Sequence, residues 1–207
     1  MITRTSADER PDEEILEEIV QGDLRAFDAI VHRYRDRLLN FVFRFVGDVE
    51  SAEDIVQETF LRAYRHQDQY PILLNFSTWL YTIAGNLAKS ELRRRKRWRL
   101  LSLDWGDDRG GVGLSDESRR PDRVTESAMA DDQIQRAIES LPGNYREVVL
   151  LRDVEGLSYE EIARVVGCPV GTVKSRVNRA RLRLQRKLRR LGREVGLGLE
   201  EDPGVQS

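Results

Sequence analysis

Apolar residues recur at helical spacing through two long stretches of this chain, and almost nowhere do they alternate as a strand requires. Phe27, Ile30, Val31, Tyr34 and Leu38 mark one stripe. It continues through Val42, Phe45 and Val46, and Gly47 then offers a C-terminal stop. Ser51, with Asp54 three residues on, reads as the cap of a second helix. A third helix is predicted from Ser77 into the basic run Lys89 to Arg97. The pattern then breaks, because Asp104 to Pro121 is rich in Gly, Asp, Ser and Arg and reads as a flexible linker. A second helical block starts near Thr125, where Ile134, Ile138 and Leu141 form a stripe ended by Pro142-Gly143. Asn144 with Glu147 reads as a capping box, Gly156 as a stop, and Ser158 with Glu161 as a further start.

The end of this block has the spacing of a helix-turn-helix. Ser158 to Val166 reads as a short helix with Ile162, Ala163 and Val166 inward, and Gly167-Cys168-Pro169 as the turn. The next helix puts Val170, Val173, Val177, Ala180, Leu184, Leu188 and Leu191 on one face. The expected architecture is all-α: two small helical domains joined by a flexible linker, the second carrying the helix-turn-helix. The boundaries predicted are an N-terminal segment 1–22, a first domain 23–99, a linker 100–127, a second domain 128–192 and a tail 193–207.

Composition narrows the function. Of 207 residues, 34% are charged, above the usual quarter or so, yet the net charge is only −2. What matters is therefore where the charges sit. Cys168 is the single cysteine, so no intramolecular disulfide can form, which fits a reducing compartment. It reads as a small turn residue rather than a redox switch, although a thiol near a helix start can be acidified. With His32 and His66 the only histidines, a zinc site is not expected, nor is any cofactor. Met1 to Pro11 lacks the apolar core of a signal peptide, and no stretch approaches the roughly 18 apolar residues of a membrane span. A cytoplasmic protein with no membrane insertion is expected.

The basic charge is concentrated. Lys174, Arg176, Arg179, Arg181, Arg183, Arg186, Lys187, Arg189 and Arg190 follow one another with no acid between Val170 and Arg193. Such a run alone reads as a solvated face. Behind a capped helix and a glycine turn it reads as a phosphate-binding recognition helix. Its early residues Thr172, Lys174, Ser175, Arg176, Asn178 and Arg179 are the candidates for base edges and phosphates. In the first block, the helix from Ser51 to Gln67 gathers Ala52, Ile55, Val56, Thr59, Phe60 and Ala63 on one side. Asp54, Gln57, Glu58 and Leu61 share the other, and a leucine among polar groups points to a partner surface. The Ser77 helix opposes an inner Leu80, Ile83, Ala84 and Leu87 to an outer Thr82, Asn86, Lys89, Arg93 and Lys96. Glu91 falls on the inner side and breaks the pattern. The preceding loop holds Tyr70, Asn75 and Phe76, side chains suited to an unstacked base. Trp79 and Tyr81 serve either base capture or the core, and tryptophan's usual burial favours the core for Trp79.

Several segments resemble one family, the extracytoplasmic-function sigma factors of bacterial RNA polymerase. Asp54-Ile55-Val56-Gln57-Glu58-Thr59-Phe60 resembles its region two, and Thr78-Trp79-Leu80-Tyr81-Thr82-Ile83-Ala84-Gly85-Asn86 its promoter-melting segment. Leu141-Pro142, Tyr145-Arg146-Glu147-Val148, Gly156 to Ala163 and Pro169 to Arg176 resemble its region four. The likeness runs from about Asp23 to Leu191, linker excepted. It implies a non-enzymatic factor that binds core polymerase and directs promoter-specific initiation. It implies that Asp54, Gln57, Glu58 and Leu61 meet the clamp helices of β′, with the β subunit a further contact. Asn75, Phe76, Thr82, Asn86, Lys89, Arg93 and Lys96 would read the melted −10 element, and the helix from Val170 the −35 element. The resemblance also implies an anti-sigma partner. The chain departs from the family at Ile72-Leu73-Leu74 and at Asn178, so base preferences are not carried over.

Two other readings compete. A stand-alone regulator would use the same helix-turn-helix but needs a sensor or dimerisation domain, which the Asp54 face and the Lys89 stripe fit poorly. A nucleic-acid enzyme needs a metal cluster, a nucleophile–base pair or a phosphate loop, and the sequence shows none of these patterns. Because acids elsewhere offset the basic stripes, the free protein is expected to bind DNA weakly.

Overall fold

The computed structural model describes residues 10–21, 23–66, 75–104 and 126–194, and among them every regular element is helical. In chain order these are α1 (Asp12–Val20), α2 (Leu24–Val46), α3 (Val49–Arg65), α4 (Phe76–Asp104), α5 (Glu126–Glu139), α6 (Gly143–Val149), α7 (Tyr159–Val166) and α8 (Val170–Glu194). A single π-helical turn, Leu150–Val154, continues α6. Most of the expected linker, and the loop 67–74, lie outside the described residues.

α2 is the hub. Asp23 caps its start by accepting the Arg25 N–H at 2.8 Å. Gly47 ends it in the left-handed region at φ +79°, its N–H on the Phe43 carbonyl. Between them Ala26, Ile30, Tyr34, Leu38, Phe41, Val42, Phe45 and Val46 are buried. They pack against α1, α3 and α4, with Phe41 edge-on to Tyr81 at 5.3 Å between ring centres.

Four local expectations are corrected. Asp48, not Ser51, caps α3: its carboxylate accepts the Ser51 N–H at 2.9 Å, because the chain is already extended immediately after Gly47. Ser51 lies within the first turn and takes a hydrogen bond from Arg95 at 2.5 Å. Pro142 precedes α6 with no side-chain cap, so Asn144 and Glu147 form no capping box. In α7 the buried residue beside Ile162 is Val165, whereas Val166 is only half-buried. In α5, Ile138 and Leu141 turn inward but Ile134 is 40% exposed.

α1 was not anticipated. It follows Pro11, carries Asp12, Glu13 and Glu14 in its first turn where the helix dipole favours acids, and buries Ile15, Leu16 and Ile19. Asp12 receives the Tyr34 hydroxyl and the Arg33 guanidinium.

The two helical blocks also pack on each other. α5, α6 and the π turn lie against α2, and α7 lies against α4. Val148, Leu150, Leu151, Leu157, Ile162, Val165, Val173 and Val177 join the same apolar cluster as the α2 residues.

Candidate functional site

Three surfaces carry the residues singled out from the sequence. The first is the helix-turn-helix. Ser158 and Glu161 make a reciprocal capping box: the Ser158 Oγ accepts the Glu161 N–H at 3.1 Å, and the Glu161 carboxylate accepts the Ser158 N–H at 2.7 Å. These bonds hold the Glu161 carboxyl below the usual carboxylate range despite its partial burial, the largest opposing effect. Gly167 makes the turn at φ +66°, and the Thr172 and Val173 N–H groups bond to the Pro169 carbonyl as α8 begins. Val173, Val177 and Ala180 point inward. Lys174, Ser175, Asn178 and Arg179 are thereby exposed, while Thr172 and Arg176 are half-buried. Arg152 and Lys174 both lie against the Tyr159 ring, 4.7 and 5.5 Å from its centre, which anchors the start of α8 to α7. Cys168 is half-buried in the turn, its Sγ 3.6 Å from an Arg176 nitrogen.

The second surface is the outer stripe of α4. Asn86, Arg93 and Lys96 are exposed. Thr82 is half-buried, its hydroxyl donating to the Thr78 carbonyl at 2.8 Å. Lys89 is half-buried, with its Nζ 3.0 Å from the Glu147 carboxylate. Glu91, the misfit in the apolar pattern, is explained by Arg94 and Arg95, whose guanidiniums lie 2.7 and 2.8 Å from it and hold its carboxyl low. Arg95 goes on to the Asp48 carboxylate and the Val46 carbonyl, tying α4 to the α2–α3 corner. Asn75 is exposed and accepts the Ser77 N–H at 3.2 Å, so it starts α4. Phe76 is only 2% exposed and packs on Tyr34 and Trp79, which gives it a packing role here. Tyr81 is fully buried and Trp79 half-buried; Tyr70 lies outside the described residues. Sequence reasoning missed Trp98, 66% exposed beside Lys96 and Arg97; an aromatic inside a basic run was the available signal.

The third surface is the outer side of α3. Asp54, Gln57 and Leu61 are exposed there, and Glu58 pairs with Arg62 one turn on at 2.7 Å. Beside them α2 and α3 leave an open groove of about 620 Å³, lined by Phe27, Val31, Leu39, Phe60, Leu61 and Tyr64, with Arg35, Glu53 and Gln57 supplying polarity. The sequence pattern singled out Leu61 but did not reveal this groove, because Phe27, Val31 and Phe60 read as ordinary core positions.

Between the blocks lies a seam of unusual chemistry. Glu155 receives the Tyr81 hydroxyl and lies 3.3 Å from the Arg37 guanidinium, which also donates to the Glu155 carbonyl at 3.2 Å. Burial pushes the Glu155 carboxyl up, against the pull of Tyr81 and Arg37. Burial likewise pushes Glu147 up, against Lys89 and the more remote charge of Arg176. Arg146 is buried and bonds to the Phe45, Leu141 and Glu139 carbonyls. Among the described residues, no group of three or more His, Cys, Asp or Glu is placed to hold a metal. Among them, too, no helix is long and apolar enough to cross a membrane.

Comparison with known proteins points one way. Residues 30–98 match the family model for sigma-70 region 2, and residues 131–184 that for sigma-70 region 4. The RNA polymerase sigma-H factor of Pseudomonas aeruginosa is 39% identical over 89% of this chain and 97% of its own. The ECF RNA polymerase sigma factor SigW of Bacillus subtilis is 37% identical over 85% and 96%. Among solved structures, the sigma factor RpoE of Bartonella quintana, in complex with the anti-sigma factor NepR, superposes with a TM-score of 0.62 at 28% identity. That match covers 80% of this chain and 98% of that one.

Proposed function

The chain belongs to the extracytoplasmic-function family of RNA polymerase sigma factors, and from that premise we propose which of its surfaces carry the family's work. As a sigma factor it binds core RNA polymerase and directs promoter-specific initiation, and it is not an enzyme. The division of labour falls into a first domain at 23–99 that also takes in α1 and the end of α4 to Asp104, a second domain that begins with α5 at Glu126 and runs to about 192, and a linker between them, each a shift from the bounds expected from the sequence.

The outer side of α3 receives the clamp helices of β′. Leu61 and the apolar groove beside it supply buried contact, and Asp54, Gln57 and Glu58 supply the polar rim. Asn86, Arg93 and Lys96, joined by Thr82, Lys89 and Asn75, track the −10 strand. Lys174, Ser175, Asn178 and Arg179, with Thr172 and Arg176, face the −35 element. The observation that carries this is the helix-turn-helix itself: a fully capped α7, a left-handed glycine turn, and an α8 whose early polar residues all remain exposed or half-exposed. Control by an anti-sigma factor, of the kind seen on the Bartonella relative, and a cytoplasmic location complete the reading.

Reconstituted transcription tests it. Core polymerase with this protein and genomic fragments should give transcript starts that share two upstream elements and vanish without the protein. No new starts, with folded protein and active core, would return the stand-alone regulator. Changing Asp54 to Arg together with Gln57 to Ala should abolish co-elution with core polymerase while leaving the helical circular dichroism intact. Unchanged co-elution would remove the α3 face from the proposal.

A further inference from the structure

α1 belongs to none of the three surfaces, yet it is tied to the end of α4 where the −10 stripe starts. Its Asp12 carboxylate receives the Arg33 guanidinium on one oxygen and the Tyr34 hydroxyl on the other. Arg33 also donates to the Arg10 carbonyl at 2.8 Å, which fixes the approach of the chain to α1. Burial, with the Asp12 carboxylate beside it, raises the Tyr34 hydroxyl above its ordinary range, so it stays a donor. The Tyr34 ring stands edge-on to Phe76, 5.8 Å between ring centres, and Phe76 in turn meets Trp79 at 5.8 Å. Further along α1, Leu16, Ile19 and Val20 close on Phe76 and Trp79 of α4 and on Ala63 of α3. The space left among them is about 20 Å³, room for no more than one water molecule. α1 therefore underlies the place where α3 ends and α4 begins.

We infer that Asp12 and Tyr34 are positioning residues for the base-reading start of α4: the Tyr34 ring seats Phe76, and Phe76 seats its neighbour Asn75. The inference deepens the assignment of Asn75 and the α4 stripe to the −10 strand, and rests on it. The first turn of a helix has N–H groups without partners inside the helix, and it frays unless side chains hold it. Here Asn75 caps that turn, accepting the Ser77 N–H at 3.2 Å and the Ser77 hydroxyl at 3.1 Å. The cap keeps its place while Phe76, 2% exposed, stays in its seat. A base drawn out of its stack has given up stacking and pairing, so the groups that read it must already be in place. A Tyr34 ring bound through its hydroxyl to a carboxylate, itself held by arginine on its other oxygen, has one orientation. Without that bond the ring is retained by apolar contact alone, which has no direction.

The test compares two strands rather than total binding. Full-length protein assembled with core polymerase is titrated with a fluorescein-labelled single strand carrying the −10 sequence mapped from its own transcript starts. The same strand scrambled at that element is the reference. We expect Tyr34→Phe, which keeps the ring and deletes the hydroxyl, to reduce the ratio of the two affinities about fivefold, the net effect of one hydrogen bond. Asp12→Ala should do the same, whereas Asp12→Asn, which keeps an acceptor for Tyr34, should stay within about twofold of the wild type. Co-elution with core polymerase and the helical circular dichroism should be unchanged in all three. A packing role alone lowers the urea midpoint but leaves the ratio as it was, because both strands meet the same α4. An unchanged ratio in Tyr34→Phe or in Asp12→Ala, at full core binding, overturns the inference. Should Asp12→Ala lose its helical signal, Tyr34→Phe decides alone. Failure of the wild-type assembly to tell the two strands apart sinks instead the assignment of the α4 stripe to the −10 strand.

Discussion

The interior of the first block and the seam between the blocks are both buried, but they are made of different things. Around α2 the contacts are Ile30, Leu38, Phe41, Val42 and Phe45, all fully buried and apolar. At the seam an apolar floor of Val148, Leu151 and Leu157 is studded with Glu147, Glu155, Arg146 and Lys89. Apolar contact gains free energy on leaving water wherever it packs, so the first interior has no cheap alternative arrangement. Buried ion pairs recover in attraction little more than they lose in hydration, so at the seam the apolar floor carries the packing and the ion pairs add little to it. The comparison predicts that truncating the apolar interior costs far more stability than changing the ion pairs of the seam.

The largest expected effect lies in the interior. Ile30→Ala should lower stability by about 2–5 kcal/mol, the usual range for truncating a fully buried isoleucine. Urea denaturation should show an earlier midpoint, and no expanded yet still helical state should accumulate. Such a state appearing first would mean that Ile30 belongs to the seam.

Giving the seam the chemistry of the interior sharpens the contrast. Lys89→Met with Glu147→Leu replaces an ion pair by apolar contact, and is expected to strengthen closure by about 1 kcal/mol, the low end of such replacements. The low end applies because the Lys89 side chain is 31% exposed. Scattering should show a more compact average at equal helicity. If the double variant opens instead, the pair is a net attraction.

How far the sequence reveals all this differs between the same two regions. Periodicity located α2, α3, α4, α7 and α8, because each is amphipathic and its apolar face meets a dry interior. The Ser158–Glu161 box and the Gly167 turn were legible for the same reason: they satisfy local backbone groups within a few residues. The seam was not legible. Glu147 sat where a capping partner belongs, three residues after Asn144, and only the position of α4 shows that it faces Lys89. Glu155, before a glycine stop, looked like a solvated helix end until Tyr81 and Arg37 were placed beside it. Ser51 looked like a cap because Asp48, hidden behind Gly47, performs that task three residues earlier. The α3 surface residues stood out as polar, but the groove beside them is a property of two helices together and has no signature in either one.

A smaller effect is expected at Gly85. Alanine is favoured over glycine inside a helix by up to about 1 kcal/mol, so Gly85→Ala should raise the stability of the first block slightly. The same methyl group meets the Glu147 carboxylate, the far end of a flexible side chain that can turn aside at little cost. Thermal melting should thus show a slightly higher midpoint for this variant. A fall in melting temperature would mean that Glu147 is held too firmly by Lys89 to give way.

The smallest effect is on pH, and its sign follows from the direction of the two carboxyl shifts. Burial raises the Glu147 and Glu155 carboxyls in the closed form, where they face Lys89 and Arg176, and Tyr81 and Arg37, respectively. On opening they return toward the ordinary range, so the closed form binds more protons than the open one. Closure is therefore favoured at low pH and loses that contribution as pH rises through the raised values. Lowering the pH from neutral toward the ordinary carboxylate range should compact the wild-type chain and weaken its single-strand binding. Glu147→Gln with Glu155→Gln should flatten the dependence, since neither position then titrates. Net protein charge grows more positive over the same interval, which by itself strengthens DNA binding, so weaker binding at low pH cannot come from charge alone. Stronger binding and expansion at low pH would mean that ionised Glu147 and Glu155 hold the blocks together more firmly than their burial allows.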